Sequence, residues 1–297
     1  MSAGAPRSFH VPVLGSSMRV VDTGVGDPVV FLHGNPTSSY LWRGVIPAVA
    51  AAGYRCVAVD LIGMGDSGKP DIGYRFTDHA AFLDATLDVL VTQCELELPA
   101  VLVGHDWGAV LALNHASNNP DEVRAVAVCE AHLRPIERWD DMGEDAELFK
   151  SLRAPGSGEA MVLEENFFVE QVLPGGTRRT LTAEEVAAYG APFATPDSRR
   201  PVLAWVREIP IEGVPAEMVS TVTTNQEVLA DPGIPVLVMH GQPGAILGEE
   251  AIAWCREIGR SLSIADVGPG LHFLPEDRPQ QVAKALVTWL QETPGSG

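Results

Sequence analysis

The sequence predicts an α/β protein: a mostly parallel sheet of eight strands, helices on both faces, and a helical insertion after the sixth strand. Three observations carry this. Short β-branched runs alternate with amphipathic helical segments, the pattern of a parallel sheet wound on both sides. A tight turn, Gly104-His105-Asp106-Trp107-Gly108, stands between an apolar run and a helical segment. From about His132 to Glu217 the alternation stops, and a stretch rich in Pro, Arg and Glu without buried-strand patterns takes its place.

The elements follow in order. Phe9 to Val13 and Met18 to Asp22 read as a hairpin or edge pair, and Val29 to Leu32 as a buried strand running into a Gly-Asn-Pro loop. A helix over roughly Ser39 to Ala51 leads to a strand at Arg55 to Val59. Thr77 can cap the next helix, whose Leu83, Leu87, Leu90, Val91 and Cys94 share one face at helical spacing. The apolar strand Ala100 to Val103 enters the tight turn; a helix over Ala109 to Ser117 and a strand over Val123 to Val128, ending at Cys129-Glu130, come after it. Beyond the insertion, Pro235 to His240, Glu249 to Ile258, Ser261 to Val267 and Pro279 to Leu290 read as strand, helix, strand and helix. On this reading residues 1–131 and 219–292 form the core domain, 132–218 a helical cap, and 293–297 a disordered tail.

Composition narrows the partners. Among 297 residues, 39 are acidic and 20 basic, a formal net charge of -19 that repels phosphate backbones and argues against nucleic acid. The four cysteines, Cys56, Cys94, Cys129 and Cys255, are scattered without a C-x-x-C pair or metal-ligand spacing, so no metal is expected and a reducing compartment fits. The N-terminal segment MSAGAPRSFHVPVLGSS lacks a basic stretch followed by an apolar run, and no window approaches a span of about 18 apolar residues. The expectation is a cytoplasmic protein that does not engage membranes, a monomer or weak homo-oligomer.

The tight turn carries the chemistry. Small-x-nucleophile-x-small between a strand and a helix is the context of a nucleophile elbow, which points to an α/β-hydrolase fold. Such a turn strains the central residue and lifts its side chain above the carboxyl ends of the strands. That residue is Asp106 rather than serine. A carboxylate is ionised near neutral pH and can attack saturated carbon directly, leaving an alkyl ester on the enzyme.

A base must then activate water to hydrolyse the ester. His272, in Gly268-Pro-Gly-Leu-His-Phe273 after the last strand, has the right place in the chain order nucleophile, acid, base. His33 and His105 lie inside turn motifs and read as structural hydrogen-bonders, while His132 and His240, near strand ends, are weaker competitors. The orienting acid is unusual. The seventh strand, VLVMHGQPGA, offers Gln242 but no carboxylate, whereas Glu130 closes the sixth strand beside the one bearing Asp106 and can steady the imidazolium of His272. Asn35, in His33-Gly34-Asn35-Pro36, and Trp107 supply side-chain N–H donors for a departing halide, and their main-chain N–H groups can form an oxyanion hole. Phe167, Phe168, Val169, Leu173 and Leu271 are candidate apolar walls of the substrate pocket.

With these residues in view, the chain resembles the haloalkane dehalogenases over almost its whole length. The resembling stretches include HGNPTSSYLWR, DLIGMGDSGKP, GHDWG, ENFFVEQVLP, WVREIP and GLHF. The resemblance implies an Asp106 nucleophile, His272 base and Glu130 acid, with Asn35 and Trp107 for halide. It also implies a small halogenated aliphatic substrate, halide and alcohol as products, and no metal or organic cofactor. The cap segments WDDMGEDAELFK, MVLEENFFVE and RRPVLAWVREIP are also similar to the coelenterazine luciferases of the sea pansy type, which share fold and pentad. Cofactor-independent oxygenation is therefore a second reading, and a non-enzymatic ligand-binding module on the same fold a third. Epoxide hydrolases share the Asp nucleophile but use cap tyrosines, and this insertion holds only Tyr189. Fluoroacetate dehalogenases usually place Arg where Trp107 stands.

Overall fold

In the computed structural model, which describes residues 6–259 and 262–293, β1 (Arg7–Val13) and β2 (Ser16–Thr23) form the expected antiparallel hairpin at one sheet edge. The other strands are β3 (Pro28–Leu32), β4 (Arg55–Val59), β5 (Ala100–His105), β6 (Val123–Cys129), β7 (Val236–Pro243) and β8 (Leu262–Gly270). They make one eight-stranded sheet in the order β1-β2-β4-β3-β5-β6-β7-β8, parallel from β4 onward. β3 and β5 are buried along their whole length. Helices cover both faces, so neither face needs polar side chains and the strands read as continuous apolar runs.

The helices are α1 (Ile46–Ala51), α2 (Phe76–Cys94), α3 (Trp107–Asn118), α4 (Ala146–Arg153), the single turn α5 (Leu173–Gly175), α6 (Ala183–Gly190), α7 (Arg200–Glu208), α8 (Ala216–Ala230), α9 (Glu249–Ile258), α10 (Leu274–Asp277) and α11 (Pro279–Glu292). Two apolar clusters flank the sheet. One joins Val30, Leu32, Val128 and Val238 to α2, α3, α8 and the insertion; the other joins Phe31, Val103, Ala127 and Met239 to α1 and α11.

Several expectations need correction. The helix expected over Ser39 to Ala51 is a 3-10 segment, Ser39–Gly44, followed by a fresh start at α1. Pro47 has no N–H to give and fits only the first turn of a helix, so the chain restarts there. Thr77 does not cap α2. The helix begins a residue earlier, with the N–H of Phe76 taken by Glu208 at 3.1 Å and that of Arg75 by Asp78 at 3.0 Å. Helix α8 starts at Ala216, ahead of the expected resumption of the core at 219, and packs Met218 and Val222 with α3, while Asn225 donates to the carbonyl of Val110 at 3.0 Å. Ser261, expected to open the last strand, and residues 294–297 of the expected tail lie outside the described residues.

Between β6 and β7 the described residues form no strand, only helices and isolated bridges such as Ile136 to Ile211. No helix among the described residues is long and apolar enough to cross a membrane.

Candidate active site

Asp106 sits between β5 and α3 with φ 52° and ψ -124°, a conformation that non-glycine residues rarely hold. Close packing imposes it. A Cβ on Gly104 would lie 2.3 Å from Cα of Ala109, and one on Gly108 would lie 2.3 Å from the carbonyl oxygen of Leu32. Backbone cannot yield at such distances, so both flanking positions are confined to glycine. The first turn of α3 is thereby pressed onto the end of β3, where the loop with Asn35 begins.

That contact builds the environment of the carboxylate. The main-chain N–H of Asn35 donates to Oδ2 of Asp106 at 2.8 Å, and the N–H of Trp107 also faces the carboxylate. Burial pushes the Asp106 carboxyl above its ordinary range, while His272 and the two amide donors pull the other way and Glu130 adds to the rise. His33 holds the Asn35 loop from behind: its Nε2 accepts from the N–H of Leu61 at 2.9 Å, and its Nδ1 lies 2.9 Å from the carbonyl of Gly34. Those two bonds fix one neutral tautomer, and burial lowers its imidazolium further.

His272 enters from the turn after β8. Its Nδ1 lies 3.9 Å from Oε2 of Glu130, an ion-pair separation too long for a hydrogen bond. Burial disfavours its charged form, but Glu130 and Asp106 outweigh burial and hold the imidazolium above the ordinary histidine range. Glu130 is fully buried at the end of β6, with φ 48°. Its Oε2 accepts from the N–H groups of Ala245 at 2.9 Å and Ile246 at 2.8 Å. The loop after β7, which has no carboxylate of its own, thus contributes main-chain donors that anchor one. The turn bearing His272 is fixed as well: His105 Nε2 donates to the His272 carbonyl at 2.9 Å, and the N–H of Leu271 donates to Asp277 at 3.0 Å.

The side chains expected to receive halide lie beside Asp106. Asn35 Nδ2 makes one long bond, 3.3 Å, to the carbonyl of Val202, which leaves its second hydrogen uncommitted. The Trp107 ring stacks on Trp205 of α7, centroids 4.5 Å apart and planes 20° apart, and Trp205 stacks in turn on buried His79. Asn35, Asp106, Trp107 and His272 line one cavity of about 780 Å³.

Of the expected walls, Phe168 and Leu271 line this cavity, and Phe167, Val169 and Leu173 do not. Val169 and Leu173 are 1% and 0% exposed because they pack into the two apolar clusters, and Phe167 is partly buried against the first. The strained turn at Asn166 and the wide helical turn that follows rotate these neighbours away from the face Phe168 presents. Sequence reasoning missed the Val202 carbonyl, the amides of Ala245 and Ile246, and Trp205. Main-chain groups leave no residue-type signal, and Trp205 was visible only as part of the quoted WVREIP segment.

A buried carboxylate on an elbow at the carboxyl ends of parallel strands, with a histidine delivered after the last strand, defines an α/β hydrolase, and the alpha/beta hydrolase fold family model matches residues 27–273. The chain belongs to the haloalkane dehalogenases: it is 45% identical to the haloalkane dehalogenase of Mesorhizobium japonicum over 98% of this chain and 93% of that one. It is 40% identical to that of Sphingobium indicum, with 98% of each chain covered. The crystal structure of a haloalkane dehalogenase from Bradyrhizobium elkani superposes with a TM-score of 0.91 at 43% identity, covering 97% of this chain and 99% of that one. The corresponding enzyme of Agrobacterium tumefaciens C58 gives 0.89 at 38% identity, with 97% of each chain covered.

Proposed function

We propose that this chain hydrolyses haloalkanes through an alkyl ester on Asp106, with His272 as base, Glu130 as its acid, and Asn35 and Trp107 as halide donors. The substrate enters the cavity carbon-first against the elbow. The carboxylate oxygen not held by Asn35 attacks the carbon, and the carbon–halogen bond breaks with its electron pair leaving on the halide. The Asn35 amide and the Trp107 indole N–H receive that anion in a pocket from which walls and cap exclude water, where fixed donors count for far more than in bulk solvent.

Hydrolysis follows. With Nδ1–H directed at Glu130, His272 keeps the Nε2 lone pair free to take a proton from water. The hydroxide attacks the ester carbonyl, whose developing negative charge lies against the main-chain N–H groups of Asn35 and Trp107. The acyl carbon–oxygen bond then breaks, giving alcohol, halide and a proton and restoring the carboxylate with one oxygen from water. Residues 132–218 act as the cap over this chemistry.

The observation that carries the reading is the 2.8 Å bond from the Asn35 N–H to a strained, buried Asp106 on the floor of the cavity. Halide release from 1-bromohexane tests it. Wild type is expected to release bromide in step with hexanol, and Asp106→Asn to release none. Equal release by both proteins would contradict the assignment.

A further inference from the structure

The cavity changes character along its depth. Its floor holds Asn35, Asp106, Trp107 and His272, and its rim carries charged residues such as Glu137, Arg138, Asp141, Asp145 and Glu250, all solvent-exposed. Two pairs of rim charges engage each other: Arg134 meets Glu250 at 2.6 Å and Arg138 meets Asp141 at 3.0 Å. Between floor and rim the described lining residues are apolar, with one exception. His132 lines the wall two residues beyond Glu130, half-buried, and among the described residues neither of its ring nitrogens has a hydrogen-bond partner. Burial, and the neighbouring His272, push its imidazolium down to about 4, so at neutral pH it stands uncharged in the wall.

A lone neutral imidazole in an otherwise apolar wall presents one donor and one acceptor to whatever fills the cavity. It is not a second base: it makes no ion pair with a carboxylate among the described residues, and its proton affinity is too low. The volume, about 780 Å³, accommodates chains well beyond the smallest haloalkanes. We propose that His132 forms a polar subsite that hydrogen-bonds a hydroxyl or ether oxygen carried by the substrate away from the reacting carbon, favouring haloalkanols and haloethers over plain alkyl halides. This rests on the reading of the floor given above, because the carbon–halogen bond must lie at Asp106 for the distal group to reach the wall.

The test compares kcat/KM for isosteric pairs in which a terminal methyl is replaced by hydroxyl: 4-bromobutan-1-ol with 1-bromopentane, 5-bromopentan-1-ol with 1-bromohexane, and 6-bromohexan-1-ol with 1-bromoheptane. For the pair with the highest alcohol-to-alkane ratio in wild type, His132→Leu is expected to lower that ratio about fivefold, the worth of one neutral hydrogen bond. Activity on the plain alkyl bromide should be retained, which also reports that the variant is folded. His132→Gln, which keeps a donor and an acceptor, should restore part of the ratio. Unchanged ratios in all three pairs would overturn the subsite, as would an equal loss on alcohol and alkane, which a packing role gives. A wild type that releases bromide from none of the six would overturn the reading of the floor, and the subsite with it.

Discussion

Glu130 Oε2 lies 3.9 Å from His272 Nδ1, and that same oxygen already accepts the N–H groups of Ala245 and Ile246. The acid is therefore held in place by the β7 loop whether or not the histidine is charged, and it acts on His272 through its charge. Glu130→Gln separates the two roles, because an amide oxygen still accepts from the loop while the charge is gone.

The pH profile is the readout. His272 must be neutral to take a proton, and Glu130 favours its charged form, so kcat should fall with decreasing pH along a limb set by that imidazolium. In Glu130→Gln the imidazolium loses its main support, and the limb should move to lower pH. The plateau should fall by ~10²-fold or more, because the cation that forms during water activation is no longer stabilised. A limb that stays in place would show that Glu130 does not set the proton affinity of His272.

Trp107 stacks on Trp205, and the donor role proposed for its indole N–H is separable from that packing. Trp107→Phe keeps an aromatic ring and removes the donor. Loss of one such donor costs about 10²–10³ in the rate of the charged step. Alkylation should slow most for chloroalkanes, the poorest leaving groups tested, and least for iodoalkanes. Rapid-quench halide release resolves this, and equal slowing of chloro- and iodoalkanes would assign Trp107 to packing.

Glu276 is 3% exposed and ties the core to the insertion. It accepts from Arg43 of the 3-10 segment and from Arg179 and Tyr189 of the insertion, while Glu185 of α6 binds both arginines at 2.6 and 2.7 Å. Removing Glu276 leaves two arginines to a single carboxylate, Glu185, and strips the Tyr189 hydroxyl of its acceptor. Glu276→Ala should lower unfolding free energy by about 3–5 kcal/mol in urea titrations. A loss below ~1 kcal/mol would mean that the network is solvated in solution.

How far the sequence disclosed the molecule depended on the kind of signal each part leaves. β4 and α9 read to the residue, since their apolar patterns end at strong punctuation. The elbow was legible because both of its glycines are fixed by backbone contact. Helix α8 escaped notice: Met218, Val222, Asn225 and Leu229 mark its buried face, but Thr and Val crowd its sequence and weaken its helical character. The cavity wall was legible at Phe168 and Leu271 only. Which of several adjacent apolar side chains faces a cavity depends on local helix winding, and the wide turn over Phe168–Val172 follows no period that a sequence displays. His132 could be recognised as a histidine near the base, but its isolation in an apolar wall is a property of the assembled cavity.

The ester on Asp106 is the claim on which the chemistry rests, and His272→Phe should trap it. The variant keeps Asp106, Asn35 and Trp107 but lacks the side chain proposed to activate water against the ester. After exposure to 1-bromohexane, intact-protein mass spectrometry should show addition of one hexyl group per chain, and peptide mapping should place it on Asp106. A protein that stays unmodified while releasing bromide, or that carries the alkyl group elsewhere, would contradict the account.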